Sequence, residues 1–558
     1  MTPKQLRQSD IEALVRLFHG GDMAAVEARA RRLAKVFPDV LILHNILGAS
    51  LAAQGKLQAA TVSLRKAIAL KPDFAEAHNN LGNVLKDRGK AEAAVDSFRR
   101  AIALKPDLAE AHNNLGNALK DLGQVTDAEG SLRHAVTLNP AYAEAYSNLG
   151  NALQELGRLD EAAESLRQAL VLKPDLAGAH SNLGNVLTEQ DRPEAALAAL
   201  ETAIRLQPNL AEAHNNRGNA LRALGRFDAA LASFEKAAAL QPDYAEARWN
   251  ESLCRLLLGD FEQGWKLYEW RWNKPGAVDK ARKFAVPLWL GKKPLAGKRI
   301  LLHAEQGIGD TLQFCRYAPL LEADGAVVIV EVQPALKSLL GGLTGGTELV
   351  ARGEPLPPFD CHCPLMSLPL ASATRLETVP AAVPYLQADP DMVEAWRSRL
   401  GQSSAPRVGL VWSGNPAHKN DRNRSIPLPM VAKLTVAEAQ FVSLQKDLRD
   451  GDKPVLDEIS NLRHVGDDLR DFADTAALIA LMDVVVTVDT AVAHLAGAMG
   501  KAVWVLLPAN PDFRWLTDRD DSPWYPTARL FRQTTAGDWQ SVIGQVGEAL
   551  HARFAGAD

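Results

Sequence analysis

Seven prolines, Pro38, Pro72, Pro106, Pro140, Pro174, Pro208 and Pro242, stand 34 residues apart. A fixed period of that length marks a repeat solenoid, in which each unit buries its apolar face only by stacking on the next. Other positions keep the same step: Leu81-Gly82, Leu115-Gly116, Leu149-Gly150 and Leu183-Gly184, then Ala94, Ala128, Ala162, Ala196 and Ala230. Between Ala75 and Lys105, Leu81 and Leu85, then Ala94, Phe98, Ala101 and Leu104, recur at helical spacing with Gly89 between the two runs. Each unit therefore reads as helix, turn, helix. Gly55, Gly89, Gly123, Gly157, Gly225 and Gly259 hold the turn, where glycine accepts a left-handed backbone at least cost, and Asp191 is the one break in that series. Small residues such as Gly82 and Ala94 let the two helices approach closely, and the proline ends the second helix.

Eight units begin near Arg7, Leu41, Ala75, Ala109, Ala143, Ala177, Ala211 and Ala245, and the periodic region spans 7–272. This all-α pattern is similar to tetratricopeptide repeats. The first and last units depart most from it, as capping units do. The last carries Trp265, Tyr268, Trp270 and Trp272, a cluster suited either to burial against a following domain or to a simple terminal cap.

Two asparagine series stand out because packing does not need them. Asn80, Asn114, Asn148, Asn182, Asn216 and Asn250 recur at one position of the first helix, and Asn83, Asn117, Asn151, Asn185 and Asn219 recur three residues later. Asparagine is a mediocre helix former, and residues three apart share a helix face. Stacking lines such amides into ladders able to donate to and accept from an extended peptide backbone. For each series the alternative is hydrogen bonding between helices. This half resembles protein O-GlcNAc transferases, in which an asparagine ladder holds the acceptor protein. The resemblance implies the Asn80 series as the peptide-binding one.

At 558 residues the chain exceeds one hydrophobic core, so a further domain must follow the repeats. A formal net charge of -5 argues against a nucleic-acid partner. Cys254, Cys315, Cys361 and Cys363 show no paired CxxC spacing, which fits a reducing, cytoplasmic setting. The N-terminal residues scatter their charges unlike a signal peptide, and no apolar stretch approaches a membrane span.

From Trp289 the period is gone. A Lys-Pro-Gly-rich stretch, 291–297, precedes the apolar run Arg299 to His303. Further short β-rich runs follow at 326–332, 407–412, 440–444, 484–488 and 502–507, with helical segments between them. Continuous apolar strands alternating with helices predict parallel sheets in an α/β arrangement. The expected organisation is a linker at 273–297, a Rossmann-like lobe at 298–385 on the acceptor side, and a second at 386–558 on the donor side.

Three strand-to-helix junctions carry the polar residues, where open α/β sheets bind ligands. The first is Glu305, Gln306, Gly307, Ile308, Gly309, Asp310 and Thr311, whose glycines allow close backbone approach; Asp310 also reads as a helix cap. The second runs from Ser413 to Ser425. There Arg424, beside Ser425, is the expected phosphate ligand, while Lys419 and Arg422 read as solvated charge. Lys446, just past the run 440–444, would add a cation at the same sheet edge. The third is Asp489, Thr490, Ala491, Val492, Ala493 and His494. Thr490 is placed to cap a helix whose first amides would meet a diphosphate. Asp489 is placed to bind a sugar hydroxyl or orient the loop, and His494 reads as a ligand or a satisfied core histidine.

The Gly309-Asp310 junction and the 489–494 segment resemble the two hallmark segments of the heptosyltransferase family of GT-B glycosyltransferases, over about residues 298–530. The resemblance implies Asp310 as general base, Arg424 as donor-phosphate ligand, and Asp489, Thr490 and Ala491 as the diphosphate cradle. Ala491 stands where that family commonly has glycine, and Arg424 where it commonly has lysine. The expected activity is sugar transfer from a nucleotide-sugar to a Ser or Thr hydroxyl of a protein held by the repeats, with inversion and no required cofactor. A transferase for lipid-linked or polysaccharide glycan and a non-catalytic repeat scaffold are the alternatives. Asp518-Arg519-Asp520 has DxD spacing but lies in a Pro/Asp/Ser-rich loop, and the GT-B resemblance implies no such metal, while Cys361-His362-Cys363 lacks a second cluster, so no metal is expected.

Overall fold

The computed structural model describes residues 6–274, 276, 282–343, 346–418, 420–436 and 439–554. Two compact units divide the chain, Met1–Leu224 and Gly225–Asp558. The periodic sequence forms helix pairs, beginning with Gln8–His19 and Met23–Val36, continuing through Ala75–Asp87 and Ala91–Leu104, and ending with Ala245–Leu257 and Phe261–Tyr268. Each pair meets where the sequence places its small residues. A β-carbon on Gly82 would sit 2.5 Å from the Phe98 ring, and one on Gly184 would sit 2.4 Å from Leu200. Ala94, Phe98 and Ala101 are fully buried. Asp191, the break in the turn glycines, adopts the left-handed backbone itself, with φ of 61°.

The unit boundary at Leu224 falls before the repeats end, because the last helices contribute to the α/β core. Trp265 meets Phe314 at 6.0 Å and Phe513 at 5.7 Å between ring centroids, and Phe261 stacks on Trp524 at 5.9 Å. Trp265 and Tyr268 are buried, whereas Trp270 and Trp272 are half-buried. The aromatic cluster is thus packed against the following domain rather than presented as a free cap. The stretch read as a linker, 273–297, includes positions 275 and 277–281, which lie outside the described residues.

Beyond it lie two parallel sheets. The first comprises β1 (Arg299–His303), β2 (Val327–Val332), β3 (Glu348–Ala351) and β4 (Cys361–Pro364), in the order β3-β2-β1-β4. The second comprises β5 (Arg407–Val411), β6 (Gln440–Ser443), β7 (Leu462–His464), β8 (Val484–Val488), β9 (Val503–Leu507) and β10 (Ala528–Arg532), in the order β10-β9-β8-β5-β6-β7. Every pairing is parallel. Strand order reverses between β1 and β4 in the first sheet and between β5 and β8 in the second. Those are the switch points at which open α/β sheets open a crevice beyond their strand ends. Among the described residues no helix is long and apolar enough to cross a membrane.

Candidate functional site

All three polar junctions leave strands that flank a switch point: the first follows β1, the second β5 and the third β8. In the first, Gly307 precedes the helix Ile308–Phe314, and its amide donates to Asp310 Oδ2 at 2.8 Å. Asp310 therefore caps its own helix, the plainer of its two expected roles, and its other oxygen, Oδ1, accepts from Arg514 Nη2. Gly309 explains the close approach of the two junction helices. A β-carbon there would lie 2.8 Å from His494 Cδ2 and 3.7 Å from the Ala491 α-carbon.

At the third junction the backbone of Thr490 is extended before the helix Ala491–Ala498, but its side chain makes no cap bond. Its hydroxyl lies 3.2 Å from that of Thr487 instead. The helix amides are left without the expected threonine cap, which suits an anion above them. Asp489 is half-buried, and its carboxyl is pushed up to about 6 by burial, with the Asp512 charge adding to the effect. His494 is a core residue: Nδ1 pairs with Tyr525 Oη at 3.0 Å, and the ring stacks on Trp515 at 5.5 Å. Burial holds its pKa well below the ordinary histidine value. Of the two roles expected of His494, the structure shows the satisfied core histidine: the ring is buried against Tyr525 and Trp515, with Gly309 close to its Cδ2 edge.

The second junction brings Arg424 to the third. Arg424 Nη1 donates to the Asp489 carbonyl at 2.8 Å, and a β-carbon on Gly414 would collide with the guanidinium at 2.5 Å. Ser425 is structural: its buried hydroxyl accepts from the Gly414 amide at 3.1 Å and donates to Asp421 Oδ1 at 2.9 Å, so it is not free for a donor phosphate. Lys446 is exposed and donates to the Arg470 carbonyl at 3.2 Å. It follows β6, the strand beside β5. Lys419 lies outside the described residues.

Sequence reasoning missed the groups that brace Asp310. Arg514 and Asp512 follow β9, and Arg514 joins Asp512 at 2.7 Å as well as Asp310. Their signal was two charges set among aromatics in Asp512-Phe513-Arg514-Trp515, just past a strand end. The terminal repeat supplies a second brace. Arg271 donates to Glu305 Oε1 at 2.9 Å and to Ser367 Oγ at 2.7 Å, and Gln306 Nε2 donates to Tyr268 Oη at 3.1 Å. Burial pushes the Glu305 carboxyl up to about 7, against the pull of Arg271. Cys361 and Cys363 alternate with His362 along β4, so the three point to opposite faces and cannot converge on one ion.

In the solenoid the two asparagine series have different partners. Asn80 donates to Asn45 at 3.0 Å, Asn114 to Asn79 at 3.1 Å, Asn148 to Asn113 at 2.8 Å and Asn216 to Ser181 Oγ at 3.2 Å. The series favoured for peptide binding thus bonds one repeat to the one before it. Asn182 in this series is half-buried and Asn250 is buried. Asn83, Asn117, Asn151, Asn185 and Asn219 are all half-buried. The Asn151 and Asn219 oxygens lack a partner.

Sequence families agree with the repeats. Models described as TPR repeat match 48–89, 82–123 and 184–221, and models described as tetratricopeptide repeat match 113–177 and 211–244. The N-terminal half is accordingly a solenoid of tetratricopeptide repeats. A curated relative, Protein FlbA of Caulobacter vibrioides, is 28% identical over 318 residues, covering 52% of this chain and 52% of its own length. The chain thus spans about half the length of that relative. Among solved structures, the Cut9-Hcn1 hetero-tetramer of APC/C is 18% identical with a TM-score of 0.41, over 45% of this chain and 50% of its own. Pseudomonas aeruginosa pilF is 22% identical with a TM-score of 0.33, over 37% and 93%.

Proposed function

We propose that the α/β half is a GT-B glycosyltransferase that moves a sugar from a nucleotide diphosphate sugar to a Ser or Thr hydroxyl of a protein bound by the repeats. The observation that carries this reading is the meeting of two switch-point junctions, with Asp310 on one helix terminus and the uncapped Ala491 terminus so near that a β-carbon on Gly309 would touch it. In the proposed reaction Asp310 takes the hydroxyl proton, and the oxygen attacks the anomeric carbon. The carbon–oxygen bond to the diphosphate breaks, and its electron pair leaves with the diphosphate. Helix-terminal amides near Ala491 and the guanidinium of Arg424 stabilise that charge. Arg424 Nη1 donates to the Asp489 carbonyl and Nε lies 3.6 Å from Asp421 Oδ1, so Nη2 is the nitrogen assigned to phosphate in this reading. One displacement inverts the anomeric centre.

Tetratricopeptide repeats suggest a protein partner whether or not the second half is catalytic. A scaffold reading is favoured by one observation: Asp310 and Arg514 satisfy each other, and Arg424 is bonded to backbone. Incubation with UDP-, ADP-, GDP- and CMP-sugars separates the readings. A donor that raises thermal stability with concentration, followed by mass shifts on proteins, supports the transferase. Mass shifts on glycans alone point to the lipid-linked or polysaccharide acceptor. No binding and no transfer across the panel leave the scaffold.

A further inference from the structure

Arg514 sits in the turn Phe513–Trp515, in the lobe opposite the helix that carries Asp310. Each of its side-chain nitrogens is committed. Nε donates to Gln313 Oε1 at 2.8 Å, Nη1 to Asp512 Oδ1 at 2.7 Å, and Nη2 to Asp310 Oδ1. Gln313 and Asp310 lie three apart on one helix and so share the face that meets the guanidinium. Asp512 Oδ1 also accepts the Arg514 backbone amide at 3.0 Å, which ties the bracket to its own turn. The cation is 8% exposed and lies 4.4 Å from the Phe513 ring centroid.

A second observation is independent of those bonds. Leu516, two residues on, has φ of 56° and ψ of -169°, a region that essentially only glycine occupies without strain. Its side chain is buried, and Arg532 donates to its carbonyl at 3.0 Å and to that of Trp515. Strain of this kind persists only where the surroundings over-determine it, and it concentrates at working sites.

We infer that Arg514 is a positioning residue for the proposed transfer: braced by Asp512, it aims the Asp310 carboxylate across the lobes. The inference rests on the transferase reading for its purpose. With Gly307 on Oδ2 and Arg514 on Oδ1, the carboxylate plane is fixed and each oxygen keeps a lone pair for an incoming hydroxyl. Burial pushes the Asp310 carboxyl up, and the Arg514 charge is the largest pull in the other direction. Other charges in reach are Asp512 beside Arg514, His418 after β5, Glu305 before the helix, and Tyr268 of the terminal repeat.

The test compares the full chain with Arg514→Met, Arg514→Lys and Asp512→Asn. Carbodiimide coupling of glycinamide modifies protonated carboxyls, and peptide mass spectrometry reads Asp310 alone across about pH 4 to 8. Removing an adjacent arginine should raise the pH midpoint for Asp310 labelling by about 1–3 pH units in Arg514→Met. Arg514→Lys should restore most of the difference, and Asp512→Asn should show a smaller rise. Should Arg514→Met not fold, the lysine and asparagine variants carry the comparison. The acid limb of kcat/KM for sugar transfer should move with the labelling midpoint while donor KM stays constant. An unmoved midpoint in every folded variant overturns the inference even if transfer is observed. A midpoint that moves in the variants, together with a wild-type protein that transfers no sugar, overturns the transferase reading instead.

Discussion

The two halves spend their polar residues in opposite ways. In the solenoid one asparagine position is copied from repeat to repeat, and Asn80, Asn114, Asn148 and Asn216 each donate to the unit before, as Asn114 does to Asn79. In the α/β half Asp310, Arg424, Asp489 and Arg514 each occur once and are brought together from strand ends far apart in sequence. Repetition spreads a function over many weak contacts, whereas the single-copy site concentrates it. The largest expected effect follows directly. Asp310→Asn should cut sugar transfer by about 10²–10⁴-fold, the range for removing a general base, while donor-induced thermal stabilisation persists. Asn151→Ala should leave transfer near wild type. Turnover in Asp310→Asn within a few fold of wild type would erase the contrast.

Core truncations sharpen the comparison next. Phe98→Ala and Trp265→Ala each remove a buried aromatic, and each should cost about 3–5 kcal/mol. The way that cost spreads should differ. Repeats contact only their neighbours, so hydrogen exchange in Phe98→Ala should quicken in adjacent repeats and fade beyond them. Trp265 touches Phe314 and Phe513 from different parts of the α/β core, so Trp265→Ala should speed exchange across both sheets. Local protection loss around 261–268 alone would show that the terminal repeat is not integral to that core.

Much of this was legible in the sequence for physical reasons that differ between the halves. The 34-residue period carried the helix pairs, the turns and the small-residue contacts, because each unit obeys the same packing rule. The long apolar strands were legible because burial on both faces makes them continuous. β3, β4, β7 and β10 were not, since each is only three to five residues long and interrupted by polar residues or proline. Asp310 and Arg424 were legible from their junctions, but Arg514 was not: its meaning comes from a partner 204 residues away. The asparagine ladders were visible as ladders, yet which one bonds between repeats depends on helix rotation, which spacing of three cannot decide.

Acid-base behaviour offers a third comparison. Glu27, in the repeats, is held at about 2 by hydrogen bonds from Lys56 and then Arg31, so its contribution is present above its unfolded value of 4.5 and lost as pH falls towards 2. Glu305 is raised to about 7 by burial, so the folded state holds the extra proton. Its contribution is present below 4.5 and lost as pH rises through 7. Wild-type slopes mix these with His303, which burial holds near 3 and which acts in the opposite sense to Glu305. Variants isolate each group. Relative to wild type, Glu305→Gln should gain stability between about pH 4.5 and 7, with a limiting slope of about 1.4 kcal/mol per pH unit for one proton. Glu27→Gln should instead lose ground over the rise from about 2 to 4.5. Equal pH responses in the two variants, read by denaturant unfolding, would contradict the assigned directions.

The smallest effect tests the division of labour between the two ladders, on a single helix. Asn114 and Asn117 are three residues apart on Ala109–Asp121, yet only Asn114 bonds to the previous repeat. Asn114→Ala leaves the Asn79 oxygen without its donor and should cost about 0.5–1.5 kcal/mol in denaturant unfolding. Asn117→Ala breaks no hydrogen bond between repeats and should stay within about 0.5 kcal/mol of wild type. Binding should rank the two ladders the other way. Replacing Asn83, Asn117, Asn151 and Asn185 together should weaken capture of an extended acceptor peptide while stability holds, because a sequence-tolerant grip on backbone is the sum of contacts that are individually small. If the Asn117 series instead proves the costly one for stability and neutral for binding, the peptide-facing ladder is the one that begins with Asn80.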